Sequence, residues 1–318
     1  MKIVVISTLF RPYTRSGAEV VAERVVDGLV AQGHTVVVIT TIPWQGFYSL
    51  VPHYSAEQFG TMRYEFFPLN IWSFHTLSKL PTFIRPLWHI LDMLNVHTFL
   101  VIRSILKKEK PHLVLSHNIK GMGYTVPAAV SSTGIAYAHT VHDVQLVEPS
   151  GLMFPTSKCH PDPAKAGEGS LLYTFITRLL FGSPTVVISP SKFLMDFYTK
   201  RGFFSAKGGS ASGGKNSKKI VIPNPMAPNP PLIPLLQRGK QGDLPTLRLL
   251  FFGQLEYSRG IMFLVQSLLS LDKPFHLTIA GAGSLKQELH NRIGNDTRFT
   301  LKGFIQPQDI DMLFTNID

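Results

Sequence analysis

Two stretches of the 318-residue chain carry groups that could hold negative charge: LRLLFFGQLEYSRGIMFLVQSLLSL at 247–271 and FHLTIAGAGSLKQELH at 275–290. Each runs from an apolar strand through glycine into a helix, whose first N–H groups lack intrahelical partners and point back toward the strand end, where a phosphate can sit. Gly253, Gly281 and Gly283 keep Cβ atoms out of these turns, Gln254 offers a neutral donor, and Arg259 offers a permanent cation. A second constellation is His142-Asp143, which follows the apolar run 136–141. Parallel α/β sheets bind ligands beyond the carboxyl ends of their strands. His142 could therefore hydrogen-bond a ligand hydroxyl, with Asp143 orienting the imidazole, although a structural histidine fits the same pattern. A third is Ser16-Gly17-Ala18-Glu19, where Gly17 either admits a substrate to a helix N-terminus or makes a tight turn, and Glu19 is a favourable first-turn charge.

The elements that must position these groups read as a doubly wound α/β domain followed by a second unit. Strand 2–7, helix 18–32 capped by Gly33, and strand 35–40 make a βαβ unit with short connections. Further strands are expected near 63–67 and at 113–116, 136–141 and 185–189, with Ser191 as a helix N-cap and His139 as a packed residue inside its strand. Between 81 and 110 apolar residues recur near helical spacing, at Phe83, Leu87, Ile90, Leu91, Leu94 and Phe99, and end at Lys107, Lys108 and Lys110. Sheets need covering helices, so this region is expected to be core; with Trp72, Phe74 and Trp88 nearby, a membrane-surface or lipid-acceptor face is the alternative.

SAKGGSASGGKNSKK at 205–219 has little apolar surface to bury and reads as a flexible loop, followed by a strand at 220–222. The proline density of PNPMAPNPPLIPLL rules out a regular helix or central strand. The domains are therefore expected at 1–224 and 246–318, joined by a proline-rich linker at 225–245. A single cysteine, Cys159, excludes internal disulfides and makes no metal site with His160 alone, which points to a reducing cytoplasm. No run of eighteen or more uncharged apolar residues occurs, so no membrane-spanning helix is expected, and the first apolar run reads as a buried strand. Lys and Arg outnumber Asp and Glu 22 to 12 through Asn224 and 9 to 8 after it, which makes the first domain the basic one. A positive field attracts anionic lipid headgroups, phosphorylated acceptors or nucleic acid without choosing among them, and nucleic acid ranks last because no nucleic-acid-binding signature is present. GAGSL lacks the third glycine of a dinucleotide fingerprint and no acid ends the next strand, which disfavours a Rossmann-type oxidoreductase.

Taken in order, STLFRPYTRSGAEVVAERVVDGLVAQGHTVVVIT, HTVHD, VVISPSKFLMDFY, KIVIPNP, FFGQLEYSRG, LTIAGAGSL and LKGFI resemble the signposts of family 4 glycosyltransferases with the GT-B fold. The resemblance covers almost the whole chain. It implies two Rossmann-like domains facing a cleft, an acceptor-side N-terminal domain and a C-terminal nucleotide-sugar-binding domain. It also implies retaining transfer of a sugar from a nucleotide diphosphate donor to a glycan or lipid-linked acceptor in cell-envelope or polysaccharide synthesis. His142 would then face the donor sugar, Gly17 would lie in the family's glycine-rich loop, and the Gly281–Gly283 turn would lie near the donor base. Family members usually read GRLxxxKG where this chain has Gly253, Gln254 and Arg259, so one of two phosphate cations is replaced by a neutral amide. No metal or other cofactor is implied, because side chains and helix ends take the metal's place at the diphosphate. The protein is expected to be cytoplasmic, with a peripheral contact on the inner face of the membrane through the basic domain as a further possibility. The family's PSxxE and E-x7-E segments do not occur in the second domain, so that domain is expected to be incomplete and transfer by these 318 residues negligible. A non-catalytic binding module or partner subunit is the alternative.

Overall fold

In the computed structural model of the chain, which describes residues 1–13, 17–56, 61–81, 83–149, 151, 171–205, 216–225, 246–305, 313–314 and 317, the β-branched run after Met1 forms the central strand of a parallel sheet. The chain divides into two units, Met1–Pro225 and Met226–Asp318. The first runs β1 (Lys2–Ile6), α1 (Gly17–Ala31), β2 (Thr35–Thr41), β3 (His53–Ala56), β4 (Thr61–Phe66), α2 (Arg85–Met93), α3 (Val96–Glu109) and β5 (Leu113–Ser116). It continues with α4 (Val126–Ser131), β6 (Ala136–Thr140), α5 (Leu171–Phe181), β7 (Val186–Ser189), α6 (Lys192–Lys200) and β8 (Lys218–Val221).

The sheet order is β3-β4-β2-β1-β5-β6-β7-β8, with every pairing parallel except β3 on β4. Side chains of a strand alternate between faces, and both faces here are buried. Val4, Ile6, Val37 and Ile39 join the larger core with residues of α3 to α6, while Ile3, Val5, Val36 and Val38 pack with Val26 of α1. Gly33, at φ 78°, terminates the crossover after α1. The chain leaves β1 toward β2 on one side and returns to β5 on the other, which places the topological switch point between β1 and β5.

Three details differ from the sequence reading. β3 is an added antiparallel edge strand, and β8 begins at Lys218, inside the stretch read as loop. The apolar region expected to be one core helix is two helices: Asn95 accepts a hydrogen bond from Thr98 N (2.9 Å) to start α3, and Leu94 leaves helical geometry to end α2. The buried side of α2 is Trp88, Asp92 and Met93, whereas Phe83, Leu87, Ile90, Leu91 and Leu94 are exposed. By length and composition Arg85–Glu109 would suffice to cross a membrane, although it holds no unbroken apolar run of eighteen; in the fold it is broken at Asn95, and α3 packs on α4 and the sheet core.

The second unit contains β9 (Leu247–Phe252), α7 (Ile261–Leu269), β10 (Phe275–Ala280), α8 (Lys286–Ile293) and β11 (Phe299–Gly303). Its parallel sheet, ordered β11-β10-β9, packs Leu277 and Ile279 against Ile261, Val265 and Leu268 of α7 and Leu289 and Ile293 of α8. The linker expected at 225–245 lies, from 226 onward, outside the described residues, as do 206–215 of the expected loop and Cys159 with His160.

Asn95 is 4% exposed and also donates to Leu69 O (3.1 Å). Asn95→Ala removes the cap and this tie together and is expected to lower the unfolding free energy by about 1–3 kcal/mol, read by chemical denaturation. An unchanged midpoint would contradict this account of the helix break.

Candidate functional site

The chain leaves β1, β5, β6 and β7 at one level, and backbone hydrogen bonds join the departing segments. His117 N donates to Ile6 O (2.9 Å), Thr8 N to Asn118 O (2.8 Å) and Val141 N to Ile188 O (2.9 Å). His117 and His142 thereby meet from adjacent strands, with His117 Nδ1 2.9 Å from His142 Nε2 and the rings stacked at 5.2 Å. One nitrogen of the pair must carry the proton and the other accept it. Below them Ser116 Oγ bonds both Tyr137 OH and His139 Nδ1 at 2.8 Å, and His139 lies edge-on to Phe181, as expected for a packed residue. The orientation read for His142 needs correction, because its imidazole is bonded to His117 rather than to Asp143. Asp143 accepts from Gln145 N (2.9 Å), its carbonyl accepts from Tyr198 OH (2.6 Å), and its charge faces Lys120.

Burial sets the protonation states. It pushes His142 down to about 4 and His117 well below the ordinary histidine value, and it raises Asp143 to about 6, an effect to which the nearby carboxylate of Glu19 adds. Glu19 is 3% exposed, so it is a buried group beside Asp143 rather than only a first-turn surface charge. Lys120 is likewise buried, with its pKa lowered; it donates to Pro149 O and faces Asp92, Asp143 and Glu148. Among the described residues, His117 Nε2 and Asp92 Oδ1 are buried without a hydrogen-bond partner. A cavity of about 20 Å³ lined by His117, Lys120, His142 and Asp143 has room for about one water-sized group, such as a single hydroxyl. Gly17 opens α1 at the same edge of the sheet, with open space where a Cβ would stand.

In the second unit the glycines are required by backbone contact. A Cβ on Gly281 would lie 1.8 Å from Gly253 O, and one on Gly283 would lie 2.3 Å from Leu255 O. The two turns are hydrogen-bonded together, Gly253 N to Ala280 O (3.0 Å) and Leu255 N to Ala282 O (2.9 Å). Helix α8 does not offer the open start expected of it: the Glu256 carboxylate accepts from Ser284 N (2.8 Å) and Ser284 Oγ (2.6 Å), bonds that hold its pKa below the ordinary value. Glu288 is exposed and accepts from Tyr257 OH (2.8 Å). At the other turn, Gln254 and Arg259 are exposed; Arg259 ends a 3-10 turn, Tyr257–Arg259, and Gly260 (φ 74°) separates it from α7. Among the described residues no group of three or more His, Cys, Asp or Glu is placed to hold a metal.

Residues 16–207 match the glycosyl transferase 4-like domain. The chain belongs to this family. It is 22% identical over 312 residues to an uncharacterized 42.6 kDa protein in the cps region of Klebsiella pneumoniae, covering 97% of this chain and 76% of that one. Its fold is that of GT-B glycosyltransferases. Anabaena HepE, solved in complex with UDP and glucose, superposes with a TM-score of 0.56 at 16% identity over 100% of this chain and 72% of that one. The lipopolysaccharide outer core galactosyltransferase WaaB superposes with a TM-score of 0.54 at 14% identity over the same shares. The protein is accordingly a GT-B-type glycosyltransferase.

His117, Lys120 and Asp92 were missed from sequence. The reasoning that selected His142, a histidine at the end of an apolar strand, applies equally to His117 after Leu113–Ser116. Lys120 and Asp92 carry no comparable signal, since only the folded chain buries them.

Two predictions follow from this geometry. Gly281→Ala places a Cβ against backbone that cannot move without opening both turns, so it should cost more than about 2 kcal/mol or prevent folding of the second unit, whereas Gly17→Ala should change stability by less than about 1 kcal/mol; thermal denaturation separates them. For Asp143, a folded pKa near 6 against about 4 in the unfolded chain means that its stabilising contribution is complete below about pH 4 and is lost as pH rises through 6. Asp143→Asn should therefore gain on the wild type between those limits by up to about 3 kcal/mol in denaturant titrations, and a pH-independent difference would contradict the burial of this carboxyl.

Proposed function

We propose that this glycosyltransferase moves a sugar, with retention of configuration, from a nucleoside diphosphate donor to a glycan or lipid-linked acceptor in cell-envelope or polysaccharide synthesis. The observation that carries this reading is the His117–His142 pair beside Asp143 at the carboxyl ends of β5 and β6. A paired, neutral histidine couple can exchange hydrogen bonds with a sugar hydroxyl without bringing a second positive charge near a developing oxocarbenium ion. Breaking the bond between the anomeric carbon and the phosphate oxygen leaves negative charge on the diphosphate. Within the second unit, the groups suited to such charge are the Arg259 guanidinium, the Gln254 amide and the backbone at Gly253 and the start of α7. Because α8 is closed by Glu256, the phosphate-binding end in this reading is α7, and Gly281 and Gly283 shape the adjoining turn.

In this scheme the acceptor hydroxyl attacks from the face that the diphosphate leaves, its proton passes to the departing phosphate oxygen, and no side chain serves as a nucleophile. Asp143, ionised above about pH 6, fixes the loop through Gln145 N and Lys120. HepE, whose structure holds UDP and glucose, favours a UDP-sugar donor, and the relative from a cps region and the similarity to WaaB favour an envelope or capsular product. The proposed setting is the cytoplasm, with peripheral contact at the inner face of the membrane.

Calorimetric titration with UDP-glucose tests the reading. Binding is expected, weakened about tenfold or more by His142→Ala and by Arg259→Ala and unchanged by Lys192→Ala, whose side chain is exposed and paired with Asp196 (2.5 Å). Binding of a nicotinamide dinucleotide instead would support an oxidoreductase, and binding of neither would support a non-catalytic module.

A further inference from the structure

A cavity of about 350 Å³ opens at the carboxyl ends of β2 and β4, and the His117–His142 site does not use it. Its size falls within the range of about 300–1,000 Å³ usual for small-molecule sites. Strand alternation builds its floor. Tyr64 and Phe66 turn into the larger core, so Arg63 and Glu65 turn to the opposite face of the sheet, where Arg63 is registered with Val38. The Arg63 guanidinium lies 5.5 Å from the centre of the Phe10 ring and donates to Glu65 Oε1 (3.1 Å). One cation and one carboxylate thus offset each other, and Glu65 Oε2 makes no hydrogen bond among the described residues.

The wall is the segment after β2. Ile42 N donates to Phe66 O (3.1 Å), Phe67 N to Ser49 O (2.6 Å), Ser49 Oγ to Gly46 O (2.6 Å) and His97 Nε2 to Leu50 O (2.9 Å), which ties the segment to β4 and to α3. Held in this way, the Tyr48 and His53 rings meet edge-on at 5.4 Å, and Tyr13 closes the cavity from the loop after β1. His53 Nε2 donates to Tyr48 O (3.0 Å), so Nδ1 of the neutral ring is an acceptor. Tyr48 OH donates to Gln45 Oε1 (3.0 Å), which leaves the amide N–H groups of Gln45 as donors. The exposed Trp44 and Phe47, edge-on at 5.5 Å, continue the aromatic surface along the same segment.

This chemistry selects its ligand. Ring faces pack against the C–H groups of a pyranose, and uncharged donors and acceptors match hydroxyls, which both give and take hydrogen bonds. A phosphate or carboxylate would instead meet the Glu65 carboxylate, with only a guanidinium already paired to it in compensation. In the sheet, β4 lies three strand steps from β5, about 14 Å at about 4.8 Å per step. The His117–His142 cavity, at the ends of β5 and β6, is therefore further away than one pyranose ring spans.

We propose that this cavity is a second saccharide site, which holds a neutral sugar unit of the acceptor away from the unit whose hydroxyl is attacked, so that the acceptor is a preassembled oligosaccharide. Its part in acceptor binding rests on the proposed transfer; its capacity to hold a sugar stands on the pocket alone.

The test is saturation-transfer NMR and calorimetric titration of the full chain with the neutral probes maltotriose, cellotriose and galactotriose, the single hexoses glucose and galactose, and glucuronic acid as the anionic probe. At least one trisaccharide is expected to bind, about tenfold or more tightly than the single hexoses, and glucuronic acid is expected not to bind. Tyr48→Ala and Gln45→Ala, both at exposed positions, should each weaken trisaccharide binding about fivefold or more and leave UDP-glucose affinity unchanged. Glu65→Gln, with its fold checked by thermal denaturation, removes the carboxylate beside Arg63 and should bring glucuronic acid into the measurable range. Failure of every neutral probe to bind, equal affinity for single hexoses and trisaccharides, or binding unaltered by Tyr48→Ala and Gln45→Ala overturns the inference. So does trisaccharide binding that His142→Ala abolishes and Tyr48→Ala leaves intact, which would assign the sugar to the other cavity. A wild type that binds a trisaccharide through Tyr48 but binds no UDP-glucose would sink the proposed transfer and leave the saccharide site standing.

Discussion

Parallel pairing of β1, β5, β6 and β7 in near-level register is the constraint on which the site depends. Ile6 is paired with Ser116, Ser116 with His139, and Thr140 with Ile188, so the residues that follow emerge together. Just past the last rungs, backbone hydrogen bonds still hold the departing segments together, and the side chains of His117 and His142 turn toward one another. That is why two histidines separated by 25 positions can lie 2.9 Å apart. The arrangement is costly: His117 Nε2 and Asp92 Oδ1 are removed from water without partners, a penalty of order 1–3 kcal/mol each. The continuous apolar core of the central strands offsets it, and His117 lines the cavity that has room for a polar group.

The second unit is shaped by close backbone contact. Its glycines allow two βα turns to interlock at distances no Cβ would permit, and this interlock carries Glu256 onto the start of α8. An internal carboxylate thus accepts the Ser284 N–H and hydroxyl there. The start of α7, which follows Arg259 and Gly260, has no capping side chain.

Much of this was legible in the residues. The strands at Leu113–Ser116 and 185–189, the crossover helix after β1 and the paired turns after β9 and β10 follow from runs of branched apolar residues punctuated by glycine. His142 was legible because a strand ends just before it. Its partner was less so: Asp143 is adjacent in sequence, but a neighbour along the chain need not share its direction, and the next strand over supplied His117. The region 81–110 was legible in part: α3 packs into the core as expected, but apolar periodicity tells which residues share a face without telling whether that face turns inward, and at α2 Asn95 and the buried Trp88 decide it. Lys120 and Asp92 were invisible, since their importance comes from burial alone.

The central claim is that His117 and His142 act as one unit on the sugar. A double-mutant cycle of His117→Ala and His142→Ala, read as UDP-glucose affinity, tests it directly. The account predicts that either substitution removes most of what both remove, a coupling energy of at least about 1 kcal/mol. Losses that simply add would show two independent histidines and contradict the account.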